Sequence, residues 1–195
     1  MREKLKRTEE RGFSLIEMII AIGIITIGIL SLAATLGFSI ITSNRVKQVT
    51  LAKYIAVTTM ETIISTRESQ VLPFSSIGPQ SGSNPNGFVT GVQPVRNAGV
   101  DHIYGTTDDD GDLVYTIGPN STNLQFDGAG DEKVNLTQIG YRREITVTDL
   151  NDPDTGRPLG LKQIQIKVYY PSPVGGQKSY TMTTVLGDYR VGSPS

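Results

Sequence analysis

The chain of 195 residues contains no cysteine, and it contains a single histidine, His102. The absence of cysteine excludes disulfide bonds, thiolate metal sites and a cysteine nucleophile. A lone histidine between Asp101 and Ile103, in a sequence typical of a loop, is more typical of a solvated side chain than of a general base. The chain also has no Gly-x-Ser-x-Gly elbow and no phosphate-binding glycine loop. We therefore expect no catalytic residues, and an enzyme held by a membrane anchor is only a formal alternative.

Charge is missing from a long stretch near the N-terminus. No residue from Met18 to Asn44 is charged, and Arg45 ends the run. A bilayer core of about 30 Å needs roughly 20 apolar residues in a helix, so Met18 to Ile41 is long enough to span it. Glu17 stands at the start of this run, where a carboxylate in lipid costs on the order of 2.5 to 3.5 kcal/mol. Glu17 is therefore a candidate functional residue that needs a partner.

The residues before the apolar run are mostly basic. Residues 1–12 carry five basic and three acidic side chains, so their net charge is +2, and the rest of the chain is mildly acidic. The positive-inside rule predicts that this end stays in the cytoplasm and that residues after Ile41 cross the membrane. An acidic exported part lacks the basic surface expected of a nucleic-acid-binding protein, so we expect no direct nucleic-acid ligand.

Two simpler interpretations compete for the apolar run. A secretory signal would have a shorter apolar region and a small-residue cleavage site, for which Ser31-Leu32-Ala33 could serve. An uncleaved signal anchor would explain the length of the run. Neither interpretation gives a role to Glu17 or to Gly12.

The helix is predicted to continue beyond the membrane. No proline or glycine occurs between Phe38 and Leu72, and we expect one helix from Ser14 to about Arg67, roughly 80 Å long, with Pro73 closing it. In its second half, a three-and-four spacing places apolar side chains and Thr59 on one face. That face comprises Val46, Val49, Ala52, Ile55, Ala56, Thr59, Met60 and Ile63.

The C-terminal part is predicted to be a small antiparallel sheet. Residues 72–140 are rich in turn-forming residues, and we expect long loops there with short strands near Phe88 to Val95 and Leu113 to Ile117. Alternating patterns follow at Tyr141 to Asp149, Leu161 to Tyr170 and Tyr180 to Leu186. Three strands with short connections favour a meander whose apolar face covers the helix. The predicted fold class is α+β.

An acidic cluster, Asp108-Asp109-Asp110-Gly111-Asp112, suggests a calcium site, since calcium prefers oxygen ligands. The candidate ligands are Asp108, Asp110 and Asp112. The spacing lacks the full EF-hand signature. Thr106 occupies a position at which the signature has aspartate, and Ile117 occupies one at which it has glutamate. Acidic surface turns, which Asx side chains favour, are the competing and simpler interpretation.

The basic leader ending in Gly12, the sequence Phe13-Ser14-Leu15-Ile16-Glu17-Met18 and the apolar run after it resemble the N-terminus of type IV prepilins and of the pseudopilins of type II secretion. The resemblance implies a pilin fold, cleavage between Gly12 and Phe13 by the prepilin peptidase, and N-methylation of Phe13. It also implies that Glu17 pairs with the terminal amine of a neighbouring subunit. The implied partners are other pilin or pseudopilin subunits, the peptidase/methyltransferase and the inner-membrane assembly platform.

Residues Thr50 to Glu61 resemble the second helical half of PilV-like minor pilins and of I-class minor pseudopilins. Many major pilins of the family close a C-terminal loop with a disulfide, which this chain cannot form. We therefore expect a minor structural subunit, with a membrane-anchored ligand- or calcium-binding module that does not polymerise as the alternative. The expected divisions are a leader (1–12), a membrane and assembly half-helix (13–42), an amphipathic half-helix (43–71) and an exported domain (72–195) with loops at 72–140 and strands at 141–187.

Overall fold

A computed structural model describes residues 14–117 and 132–188. One helix, α1 (Leu15–Glu68), opens the described chain, and eight short or medium strands follow it. Contacts divide the chain into two compact units, Met1–Ser43 and Asn44–Ser195. The helix bounds lie within one residue of the expected ones, and the α+β class is confirmed.

Within the second unit, α1 buries one face. The buried helical residues are Ala52, Ile55, Ala56, Thr59, Met60 and Ile63, which recur at the predicted spacing of three or four. Val46, the first residue of the predicted face, is 59% exposed. Val49 is only partly buried against the core, so the buried stripe starts closer to Ala52.

The helix ends before the proline that was expected to close it. Its last residue is Glu68, and Gln70 adopts a positive φ of 62°. This left-handed residue turns the chain, and the N–H of Leu72 then donates to the carbonyl of Thr66 at 3.0 Å. Pro73 therefore follows a helix that has already stopped, and it precedes a short 3₁₀ turn at Phe74–Ser76.

The main sheet is an antiparallel meander with an added edge strand. Strands β6 (Arg142–Asn151), β7 (Pro158–Pro171) and β8 (Gln177–Gly187) pair in sequence order, as predicted. Strand β1 (Val92–Pro94) pairs with β6, so the sheet order is β1-β6-β7-β8. The sequence pattern did not predict that β1 joins this sheet, because three residues are too few to show an alternation.

The sheet buries one face against the core. On β7, Ile164, Ile166 and Val168 have no exposed surface and Tyr170 is 6% exposed, while the intervening residues are partly exposed. The core combines these residues with the buried face of α1 and with Phe88, Val95, Leu136 and Tyr141. Helix and sheet therefore share one hydrophobic core within the second unit.

The segment predicted to be mainly loop contains further short strands. Strand β2 (Arg96–Asn97) pairs with β3 (Asp110–Asp112), and β4 (Val114–Ile117) pairs with β5 (Glu132–Asn135). The strand expected near Phe88 to Val95 is shorter than predicted. Phe88 forms only an isolated bridge with Pro79, although its side chain is 2% exposed.

Candidate functional site

The first candidate site is the start of α1. Ser14 precedes the helix, and its carbonyl accepts hydrogen bonds from the N–H groups of Glu17 at 3.1 Å and Met18 at 3.2 Å. Glu17 therefore lies in the first turn, where the helix dipole stabilises a carboxylate by about 0.3 to 1 kcal/mol at an exposed site. Ser14-x-x-Glu17 also has the spacing of a capping box, so a local role at the start of the helix is available to Glu17 as well as the expected one.

The apolar side chains that follow Glu17 are all exposed. Every residue from Ser14 to Lys47 is classed as exposed, and the large apolar side chains of the first unit range from 40% exposed at Ile41 to 78% at Leu15. By length and composition α1 can cross a membrane, although a signal sequence near an N-terminus passes the same test. An apolar surface of this extent is stabilised only by lipid or by other apolar helices.

Three hydroxyl side chains inside the apolar run are satisfied within the helix. The hydroxyls of Thr26, Ser31 and Thr35 donate to the carbonyls four residues earlier at 2.7, 2.8 and 2.9 Å. Such bonds give each of these three hydroxyl hydrogens an acceptor in an apolar medium. Glu17 is the only charged residue between Arg11 and Arg45, so it carries the one formal charge of this segment that an apolar medium would disfavour.

The second candidate site is the acidic loop before and within β3. One carboxylate oxygen of Asp108 accepts from the N–H of Asp101 at 3.0 Å, and the other accepts from the hydroxyl of Thr106 at 2.7 Å. The Thr106 hydrogen bond is the main reason that the pKa of Asp108 lies below its usual value. The Asp108 carboxylate therefore organises the loop's own backbone.

Asp109, next in the chain, pairs with a buried arginine. Its carboxylate lies 2.8 Å from Nη2 of Arg143, and it also accepts from the N–H of Gly105 at 2.8 Å. The side chains of Arg143 and Asp109 are only 2% and 8% exposed. Arg143 also donates to the hydroxyl of Thr59 at 3.3 Å and lies 5.2 Å from the ring centre of Tyr104.

Burial dominates the electrostatics of this pair. It raises the pKa of Asp109 and lowers the pKa of Arg143, and in each case the charge of the other residue opposes the shift. The alternation from Tyr141 to Asp149 places Arg143 on the same strand face as Tyr141 and Ile145, but it does not predict the partner Asp109. An arginine at an inward-facing strand position was the only signal in the sequence that a buried counter-ion exists.

The structure gives the predicted calcium ligands separate partners. Asp108 contacts Asp101 and Thr106, Asp110 accepts from the N–H of Gly111 at 2.7 Å, and Asp112 accepts from the side-chain amide of Asn135 at 3.0 Å. Among residues 14–117 and 132–188, no three histidine or acidic side chains form a group able to hold a metal ion. The calcium site stays a prediction, without support from the described geometry.

The expected processing residues, Gly12 and Phe13, lie outside the described residues. His102 is described: it is exposed and has a positive φ of 57°, in a turn where its N–H donates to the carbonyl of Gly99. Its position in a surface turn agrees with the expectation of a solvated side chain.

Comparison with known families gives one result. Residues 7–33 match the prokaryotic N-terminal methylation motif, and this match contains Gly12, Phe13, Glu17 and the first part of the apolar run. No curated protein and no solved structure matches the chain. The motif supports a type IV pilin-like protein, and it fits a structural rather than a catalytic role.

Proposed function

We propose that this protein is a minor subunit of a type IV pilus or of a type II secretion pseudopilus. It is cleaved after Gly12, methylated on Phe13, and polymerised through its apolar N-terminal helix. Its PilV-like or I-class character is inferred from Thr50 to Glu61, together with the polar, alternating and threonine-rich character of β6, β7 and β8. The protein would enter the inner membrane with its N-terminus in the cytoplasm and its C-terminal domain outside.

The methylation motif carries this proposal. It spans the proposed cleavage site, and its own residues include the only charge within the apolar run. The fold supports the proposal independently, because a helix packed on an antiparallel sheet is consistent with a pilin domain. A secretory signal alone would give Glu17 only its local role at the start of the helix.

The role of Glu17 follows from the cost of its charge. A carboxylate in lipid costs on the order of 2.5 to 3.5 kcal/mol, so it favours any arrangement that brings it a cation. Cleavage after Gly12 would create such a cation, the amine of Phe13. In a filament, the amine of one subunit would pair with Glu17 of the next and set their register.

Mass measurement of the protein extracted from membranes tests the processing step. We expect a chain that begins at Phe13 and carries one methyl group, and an intact Met1 terminus in cells that lack the prepilin peptidase. An intact terminus in cells with an active peptidase would contradict the proposal. Neighbouring genes for a retraction ATPase would favour a pilus, and genes for a secretin-coupled secretion system would favour a pseudopilus.

A further inference from the structure

We propose that the end of the C-terminal domain nearest the apolar segment, here called the basal end, docks on an anionic lipid surface. The inference rests on the membrane insertion in the proposed function, but it does not depend on polymerisation. It concerns only the second unit, residues 44–195, and the covalent connection at its start. Three independent features of this unit support it: position, charge and exposed apolar side chains.

Contacts within the second unit define the basal end. The hydroxyl of Tyr141 donates to the carbonyl of Gln48 at 3.2 Å, so this end of β6 lies beside the start of the unit's helix. The ring of Tyr141 stacks on Tyr170 with centroids 6.5 Å apart, and Tyr170 pairs in register with Lys178. The turn between β7 and β8 therefore lies at the same end as residues 44–48.

The opposite end, here called the distal end, is defined in the same way. Arg67 near the end of α1 donates to the carbonyl of Gly187, the last residue of β8. Gly187 pairs with Leu161, which follows the hairpin between β6 and β7. From Gln48 to Arg67 the helix rises about 28 Å, and strand β8 covers a similar length, so the two ends are well separated.

Exposed basic side chains at the basal end have few acidic neighbours along the chain. Arg45, Lys47 and Lys178 are exposed there, and no acidic residue occurs between Asn44 and Met60 or between Thr155 and Gly187. Two described carboxylates, Glu144 on β6 and Asp112 on β3, have hydrogen-bond partners. Glu144 accepts from the hydroxyl of Tyr169 at 2.7 Å, and Asp112 accepts from Asn135.

Acidic side chains outnumber basic ones toward the distal end, where Arg67, Arg157 and Lys162 also lie. Asp149, Asp152 and Asp154 lie in or beside the hairpin between β6 and β7. Asp101 and Asp108 line a cavity of about 500 Å³ together with Val71 and Leu72, just beyond the end of α1. The second unit is therefore polarised, and its positive end is the one joined to the apolar segment.

Exposed apolar side chains at the basal end fit a lipid headgroup region. Val174 at the tip of the β7–β8 turn is 63% exposed, Ile139 before β6 is 43% exposed, and Val46 is 59% exposed. Basic side chains beside exposed apolar ones are typical of surfaces that bind anionic bilayers. Since Arg45 follows Ile41 by four residues, an inserted apolar run holds this end at the bilayer surface.

Single-cysteine labelling tests the docking directly, because the chain has no native cysteine. The full chain would carry a fluorophore at Val174→Cys or at Val100→Cys; Val100 is 91% exposed and precedes Asp101, which lines the cavity beyond the end of α1. Variants would be reconstituted at low protein density in phosphatidylcholine vesicles with or without phosphatidylglycerol, with headgroup-quencher lipids. We expect quenching at 174 that is several times greater than at 100, that depends on the anionic lipid, and that weakens with salt.

Charge variants provide the matched comparison. Lys47→Glu combined with Lys178→Glu should lower the quenching at 174 by about fivefold in anionic vesicles, since each basic side chain adds attraction near the surface. Arg157→Glu reverses one charge at the distal hairpin, and it should leave the quenching at 174 unchanged.

Several outcomes would overturn the proposal. Equal quenching at 174 and 100 would show that the basal end has no preferred contact with lipid. If quenching at 174 were the same with and without anionic lipid and rose with protein density, this surface would contact a neighbouring subunit instead of lipid. A probe at Ser31→Cys tests insertion separately: quenching there by acyl-chain quenchers with none at 174 would refute docking alone, whereas no quenching at Ser31 would refute the insertion itself.

Discussion

Arg143 connects three parts of the second unit at the scale of a single residue. From strand β6 it contacts Thr59 on α1. It also contacts Asp109 and Tyr104, which both lie in the loop between β2 and β3. Two buried charges lose their hydration, and their attraction compensates for this loss only while both are present. The pair therefore constrains how helix, loop and sheet fit together.

Removing only one member of this pair should be strongly destabilising. We expect Arg143→Met to lower the free energy of unfolding by about 3 to 5 kcal/mol, because the Asp109 carboxylate would remain buried without its cation. The double variant Arg143→Met, Asp109→Asn should recover part of this loss, since the amide can still accept from Gly105. Urea unfolding of the full chain in detergent, followed by tyrosine fluorescence, measures both.

Lys167→Met is the control for that experiment, because Lys167 is partly exposed and lies 4.8 Å from the ring centre of Tyr169. We expect Lys167→Met to change the free energy of unfolding by no more than about 0.5 kcal/mol. If the single and double variants at Arg143 were equally destabilised, the buried charge of Asp109 would not be the cause.

At the scale of elements, the loop before β3 depends on a glycine with two constraints. Gly105 has a φ of 91°, and a Cβ at this position would collide with Cδ1 of Ile145 on β6. The carbonyl of Gly105 also accepts from the N–H of Val89 at 2.8 Å. The loop is thereby held close to the sheet, and Asp109 is placed within reach of Arg143.

Gly105→Ala should therefore lower the free energy of unfolding more than the same substitution at a glycine with open space around it. Gly91→Ala is the matched control, because Gly91 has a φ of 82° and open space around its Cβ position. We expect about 1 to 2 kcal/mol for Gly91→Ala from backbone strain, and roughly 1 to 3 kcal/mol more for Gly105→Ala from overpacking. Thermal or urea unfolding measures the difference, and equal losses would show that the loop moves away from Ile145 without cost.

The helix and the longer strands are the elements that the sequence pattern could predict. Alternation along β6, β7 and β8 and the three-and-four spacing along α1 gave the elements and most of the buried faces. Strand β1 and the pairs β2–β3 and β4–β5 were predicted only in part, because two to four residues show no period. The early end of α1 depends on the positive φ of Gln70, and a non-glycine residue gives little warning of that conformation.

At the scale of the whole molecule, Glu17 is expected to act between subunits. Glu17→Gln keeps a side chain that can serve the capping box but removes the charge, so it separates the local role from the pairing role. We expect the variant to insert in the membrane at normal levels and to be lost from filaments, with Glu17→Ala behaving similarly. Immunoblots of membrane and sheared-filament fractions measure both properties.

Glu61→Gln is the matched control, since Glu61 is an exposed glutamate in the second half of α1. It should leave incorporation unchanged. Normal incorporation of the Glu17→Gln subunit would contradict the proposed salt bridge. Loss of membrane insertion as well would indicate a local role at the helix start. If the unsubstituted protein never enters filaments, the alternative of a membrane-anchored ligand- or calcium-binding module that does not polymerise would be favoured.

The sequence by itself determined the apolar run, its single carboxylate, the long helix and the alternating strands, because these are periodic or compositional features of consecutive residues. Only the tertiary structure decided that Arg143 and Asp109 form a buried pair. It likewise decided that the predicted calcium ligands have separate partners and that the described parts of the two ends of the second unit differ in their balance of basic and acidic side chains. These properties join residues that are tens of positions apart, and the distance between such residues depends on how helix, loop and sheet pack together.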